Sequence, residues 1–280
     1  MKKLIILLIF TFTPLILFSN DIERTMGRDT DPKSASDISR FKIFTKKAIW
    51  ETLSLPGMRF MTNMIFPNNT ISYLDIEDKI VAFTIDDAFC GKDNPDGDMT
   101  DEVIDLFRKY NAKATFFTSG SHCDYTSYES IKKLLEDGHE LANHSMYDFP
   151  YNKHSESQFK NDFDSTYSQL KKYTDNIPKW YRSPHAKISK TMEHFLDKEG
   201  YMHIMCDGFA NDTSIPDPQW ISSFILRKIK NGSIVLIHMP EKGFREWNFE
   251  AMELTLKGLK KEGYDIVTFS ELYRIYSAQE

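Results

Sequence analysis

From residue 78 onward, short apolar runs alternate with longer stretches whose apolar residues recur at helical spacing. The runs at 80–85 (IVAFTI), 113–118 (KATFFT), 139–142, 179–182, 202–206, 233–237 (SIVLI) and 265–268 predict buried strands. Between them, 100–110, 126–136, 155–173, 188–198, 218–229 and 248–262 predict helices. About seven alternations of strand and helix argue for an α/β protein with a parallel sheet covered by helices. A barrel fits that repeat number better than an open two-layer sheet, although period alone leaves both open. In either case ligand chemistry gathers at the carboxyl ends of the strands.

The chain before this region is different. Residues 1–20, MKKLIILLIFTFTPLILFSN, join two lysines to an apolar run and read as a signal peptide, with an uncleaved anchor as the alternative. Residues 21–76 read as a polar linker and an N-terminal extension. Within it Phe41, Phe44, Ile49, Trp50, Leu53 and Leu55 predict a helix broken before Pro56, followed by an irregular methionine-rich stretch. Because the charges are not strongly segregated, packing on the main domain is the expectation, rather than a membrane surface. The main domain is placed at 77–275. Membrane attachment is expected only through the N-terminal segment, and the leader implies a secreted or cell-wall protein.

A hydrophobic content of 41% provides for a sizeable core. The formal charge of −6, without a basic cluster, leaves no footprint for nucleic acid. Cys90, Cys123 and Cys206 exclude a disulfide scaffold and lack metal-type spacing. Sequons begin at Asn68, Asn143, Asn211 and Asn231, with Asn143 expected to be inaccessible. His122, His139, His154, His194 and His203 are read as structural or solvated.

Four strand ends carry candidate chemistry. IVAFTI runs into Asp86 and Asp87, which inside a regular strand would point to opposite faces. At a bend both can face one cavity, where their repulsion calls for a cation or a shared proton. His144 and Asp148 would share one side of a helical turn and, with one carboxylate of the first pair, supply three N/O ligands and leave a position for water. YRSPH brings Arg182 and His185 around a proline, and GSIVLIHMP ends its apolar run on His238. Taken singly, each admits a structural role: a helix-capping loop for Asp86 and Asp87, a surface cap for His144 and Asp148, a satisfied core histidine for His238.

Together these residues resemble the polysaccharide deacetylase family, also called carbohydrate esterase family 4 or the NodB homology domain. TIDDAF is similar to its motif T-F-D-D, HSMYD to H-S/T-x-x-H, YRSPH to R-x-P-Y, CDGFANDT to D-x-x-D-W and LIH to L-x-H, in the family's order over about residues 77–272. The resemblance implies a distorted (β/α)7 barrel. It implies Asp86 as general base, Asp87, His144 and position 148 as ligands of zinc or cobalt, and Arg182 as the holder of the base. It further implies the backbone N–H of His185 in the oxyanion hole, and Asp212 as the residue orienting the catalytic acid His238.

Two departures stand out. Position 148 carries aspartate where the family has histidine, adding a negative charge to the ligand set, so metal affinity or preference should be altered. In the fourth motif Phe209 replaces the first aspartate and Thr213 the tryptophan, removing an apolar wall that Trp180 or Trp220 would have to restore. The implied activity is metal-dependent N-deacetylation of a polysaccharide containing N-acetylglucosamine, chitin or peptidoglycan, by a monomer. The alternatives are an inactive glycan-binding or wall-structural member of the same fold and an O-acetyl esterase. A glycosidase explains neither His144 nor His238.

Overall fold

The computed structural model describes residues 39–66 and 69–279. The leader, nearly all of the linker and Asn68 lie outside them. The extension forms α1 (Arg40–Leu53) and α2 (Met58–Ile65). The main domain then runs β1 (Thr70–Ile71), β2 (Ile80–Ala88), α3 (Thr100–Lys109), β3 (Ala114–Thr118), α4 (Tyr128–Glu136), β4 (Glu140–Asn143), α5 (Glu156–Leu170) and β5 (Trp180–Tyr181). It continues with α6 (Lys190–Glu199), β6 (Met202–Ile204), α7 (Pro218–Lys228), β7 (Ile234–His238), α8 (Trp247–Lys261), β8 (Asp265–Val267) and α9 (Phe269–Gln279).

All the named strands pair in parallel, in the order β1-β6-β5-β4-β3-β2-β7, with β8 also on β2. β2 is central, its Phe83 facing Ala114 of β3 and Val235 of β7. Between β6 and β7 the ladder is reduced to one bridge, Gly208 to Val235, where Gly208 N–H donates to Ile234 O at 3.0 Å. The result is a distorted α/β barrel left incompletely closed. A Cβ at Gly208 would stand 2.8 Å from the Ile229 side chain and 3.3 Å from the β7 backbone, so glycine permits this approach.

Local chemistry sets the helix limits. Ser155 and Gln158 form a reciprocal capping box at the start of α5, and Asp217 caps α7 ahead of Pro218 at its first position. Gly200, in the left-handed region, ends α6. One core joins Phe83, Phe107 and Phe116 to the inner faces of α7 and α8, through Ile221 and Phe224 and through Met252 and Leu256. A second, aromatic cluster of Phe159, Phe163, Tyr181 and Phe195 lies under α5 and α6. Each buried phenylalanine contributes about 2 kcal/mol by area removed from water.

The irregular stretch expected after Pro56 is instead α2, whose Met58 and Thr62 are buried. The extension packs on the barrel. Trp50 lies edge-on to Phe209 at 5.6 Å and donates to its carbonyl at 3.2 Å, Lys47 pairs with Asp217, and Glu51 with Arg227. Arg59 of α2 reaches buried Asp207 at 2.9 Å and Asn231 O at 2.6 Å. No described helix is long and apolar enough to cross a membrane.

Candidate active site

The eight expected residues all fall at the carboxyl ends of strands or in the loops that follow them. Asp86 and Asp87 lie within β2, and pairing with β3 loses register between Ile85 and Ala88 while Asp87 takes φ 56°. This bulge is the bend anticipated from the sequence, and it frees two neighbouring carboxylates from the strict alternation of a strand. His122, read as structural or solvated, steadies the bend by donating its Nδ1–H to Asp87 O at 3.0 Å.

Asp86 is fixed by Arg182, whose Nη1 donates to Oδ1 at 2.6 Å. The guanidinium is buried, donates also to Ile204 O (2.9 Å), Met205 O (3.0 Å) and Thr84 Oγ1 (2.8 Å), and lies 4.0 Å from the centre of the Phe117 ring. Such saturation leaves the Asp86 carboxylate one orientation.

His144 and Asp148 follow β4 in a loop, Ser145 taking φ 66°, so the helical turn expected there is absent. His144 Nδ1–H donates to Arg182 O at 2.8 Å. Its Nε2 lies 3.6 Å from Asp87 Oδ1 and 3.9 Å from Asp86 Oδ2. Burial alone would lower the His144 pKa, but the charges of Asp86, Asp87 and Asp148 raise it. Asp148 Oδ1 stands 3.2 Å from Nε2 of His185, which occupies a left-handed position (φ 56°) in the turn after β5. Burial and the charge of Asp87 oppose ionisation of Asp148, yet His185 and Arg245 hold its pKa below the ordinary carboxylate value.

At the end of β7, His238 Nδ1 donates to Asp212 Oδ1 at 3.0 Å and its backbone N–H to Oδ2 at 2.8 Å. Asn248 donates to the same Oδ2 at 2.7 Å, and Trp247 Nε1 to Asp212 O at 2.8 Å. Burial would depress the imidazole pKa, but the charge and hydrogen bond of Asp212, helped by Asp87, push it up to about 9.

Arg245, which the sequence did not single out, donates from Nη1 to Asp87 Oδ2 at 2.7 Å from a buried, left-handed position (φ 51°). Burial opposes ionisation of Asp87, but the His144 hydrogen bond and the Arg245 charge hold its pKa well below 3.8. The missing tryptophan wall is not restored by Trp180, which packs on Phe269 and Tyr273, nor by Trp220, stacked near Phe224. Trp50 from the extension meets Phe209 instead, and the Phe209 ring lies 6.0 Å from that of His238.

Among the described residues no three His, Cys, Asp or Glu side chains converge as a metal cluster. The donor chemistry nonetheless fits a divalent ion. With the His144 Nδ1 proton directed at a carbonyl, Nε2 faces two carboxylates; in the metal-free protein it carries the proton that hydrogen-bonds Asp87, and a divalent ion would take that proton's place. Asp87, His144 and Asp148 each have an outer partner, in Arg245, Arg182 O and His185.

The fold and these pairs define an α/β protein with buried carboxylate–arginine and carboxylate–histidine pairs gathered at its strand ends. A sequence profile of the family described as polysaccharide deacetylase matches residues 74–204. A peptidoglycan-N-acetylglucosamine deacetylase of Bacillus cereus is 31% identical over 199 residues, which are 70% of this chain and 89% of that protein. The chain belongs to the polysaccharide deacetylase family. A cobalt-bound family 4 acetyl xylan esterase from Clostridium thermocellum superposes with TM-score 0.61 at 28% identity, over 70% of this chain and 91% of that one. The fold is also that of a carbohydrate esterase family 4 pseudoenzyme from Bacillus anthracis, with TM-score 0.63 at 22% identity over 74% and 69% of the two chains.

Proposed function

We propose that this protein is a metal-dependent hydrolase that removes N-acetyl groups from a polysaccharide containing N-acetylglucosamine and releases acetate outside the cell. The Bacillus cereus relative favours peptidoglycan over chitin as substrate, and the apolar leader supports export. The observation that carries the reading is a carboxylate held by Arg182 and an imidazole held by Asp212, brought to neighbouring strands where Asp86 pairs with His238.

Asp86 takes the proton of the attacking water, its orientation fixed by the saturated guanidinium. His238 gives its Nδ1–H to Asp212, which leaves Nε2 to hand a proton to the departing sugar amine. A pKa of about 9 keeps that proton in place at neutral pH. The backbone N–H of His185 serves the developing oxyanion. Zinc or cobalt, held by Asp87, His144 and Asp148, would supply Lewis acidity at the carbonyl. The experiment is acetate release from peptidoglycan and chitin oligomers with and without chelator. Asp86→Asn and His238→Ala should each lower the rate by ~100- to 10,000-fold. Full activity in either variant refutes these roles.

A second reading, an inactive glycan-binding member, is favoured by one observation: the Arg245 guanidinium already neutralises Asp87. Glycan retention without acetate release from the zinc-loaded protein would establish it. Faster release from O-acetyl xylan than from chitin oligomers would make the protein an esterase.

A further inference from the structure

Only the inner side of α1 is accounted for by packing on the barrel. On its outer side Phe41, Phe44, Ala48 and Leu55 follow one another at helical spacing just into the turn that ends it, with Phe41 77%, Phe44 70% and Leu55 80% exposed. The hydroxyls of Thr45 and Thr52 donate back to Phe41 O and Ala48 O at 2.9 and 2.8 Å, so their hydrogen-bonding is met within the helix. α2 adds Phe60, Met64 and Ile65, each about half exposed. α1 also concentrates positive charge: Arg40, Lys42, Lys46 and Lys47, the last paired with Asp217 of the barrel, stand against the single acid Glu51 of the helix, in a chain whose net charge is −6. Arg40 and Lys42 flank Phe41 and are exposed.

We propose that this face of α1 docks on an anionic phospholipid surface, with Phe41, Phe44 and Leu55 immersed at the level of the headgroups. Aromatic side chains between cations are the composition that such a surface binds. A parallel two-fold contact with a second copy through this face would set Arg40 and Lys42 against their own equivalents, which disfavours that pairing. The negative remainder of the molecule is repelled by the same lipids, so docking through α1 also orients the protein. Trp50 on the inner side of the helix touches Phe209, whose ring neighbours His238. Docking therefore holds the candidate active site close to the lipid, where newly exported polymer lies; this last consequence alone rests on the proposed activity.

The test uses the full chain carrying Ala48→Cys, labelled with a polarity-sensitive fluorophore; Cys90, Cys123 and Cys206 are buried. Vesicles of phosphatidylcholine with phosphatidylglycerol should shift the emission to the blue. Pure phosphatidylcholine, or high salt, should weaken the response at least tenfold. Phe41→Ser with Leu55→Ser should abolish the shift, as should Arg40→Glu with Lys42→Glu, both with unchanged circular dichroism. Binding to vesicles while the probe stays in water, as an N-terminal anchor alone would give, overturns the proposal. So does a shift that needs no vesicles and grows with protein concentration, the mark of a second copy.

Discussion

At the scale of single residues, the site is a set of ion pairs in which each functional group has a dedicated partner. If Asp212 is what keeps His238 protonated, Asp212→Asn should move the alkaline limb of the pH–rate profile down by roughly two pH units, because only the more distant Asp87 charge would then offset burial of the imidazole. Arg245 separates the two functional readings. As an orienting partner of Asp87, its replacement in Arg245→Gln should weaken zinc binding 10- to 100-fold in a calorimetric titration; as a stand-in for the ion, its removal should tighten it. The placement of the eight candidate residues near strand ends was legible because ordered short motifs announce themselves there. Arg245, Asn248 and His122 were not, since their roles depend on loop paths and on partners more than thirty residues away, which no local pattern encodes.

At the scale of elements, periodicity located most of the strands and helices of the main domain. It failed where other forces decide. α2 reads as irregular after Pro56 and Gly57, yet Arg59 makes it an anchor by reaching Asp207, a carboxylate whose pKa burial raises and the arginine lowers. Removing that cation in Arg59→Met would strand a charge in the interior. The loss should be about 3 kcal/mol in urea denaturation, beyond any effect on the helix itself. β1 is only two residues long, too short for alternation to appear, and it exists because β6 offers it an edge. The loop at His144–Asp148 departs from the helical turn that i,i+4 spacing suggested, because Ser145 Oγ hydrogen-bonds Tyr181 Oη at 2.8 Å and its N–H is taken by Asn143 Oδ1 at the same distance.

At the scale of the whole molecule, parallel pairing followed from strand–helix alternation, whereas the incomplete closure, with one isolated bridge at Gly208, did not. Buried titrating groups also give the protein a pH optimum of stability. His238, raised to about 9, contributes stability that is complete below pH 6.5 and lost as pH climbs through 9. His139 and His203, lowered by burial to about 4 and about 3, contribute stability that is complete above 6.5 and lost as pH falls toward those values. Glu140 and Asp207, raised by burial, contribute in the opposite sense on the acid side. The metal-free protein should thus show its highest melting temperature near pH 6.5 in a calorimetric series from pH 4 to 9. A plateau extending to pH 9 would show that His238 is not charged in the folded state.

The left-handed backbone at Asp87 restricts the substitutions this lineage can tolerate there. At φ 56° a branched or bulky side chain is strained, while asparagine and glycine sit easily. Descendants that abandon catalysis while keeping their architecture should therefore carry Asn or Gly at position 87 more often than Val or Ile, an evolutionary scar dictated by one torsion angle.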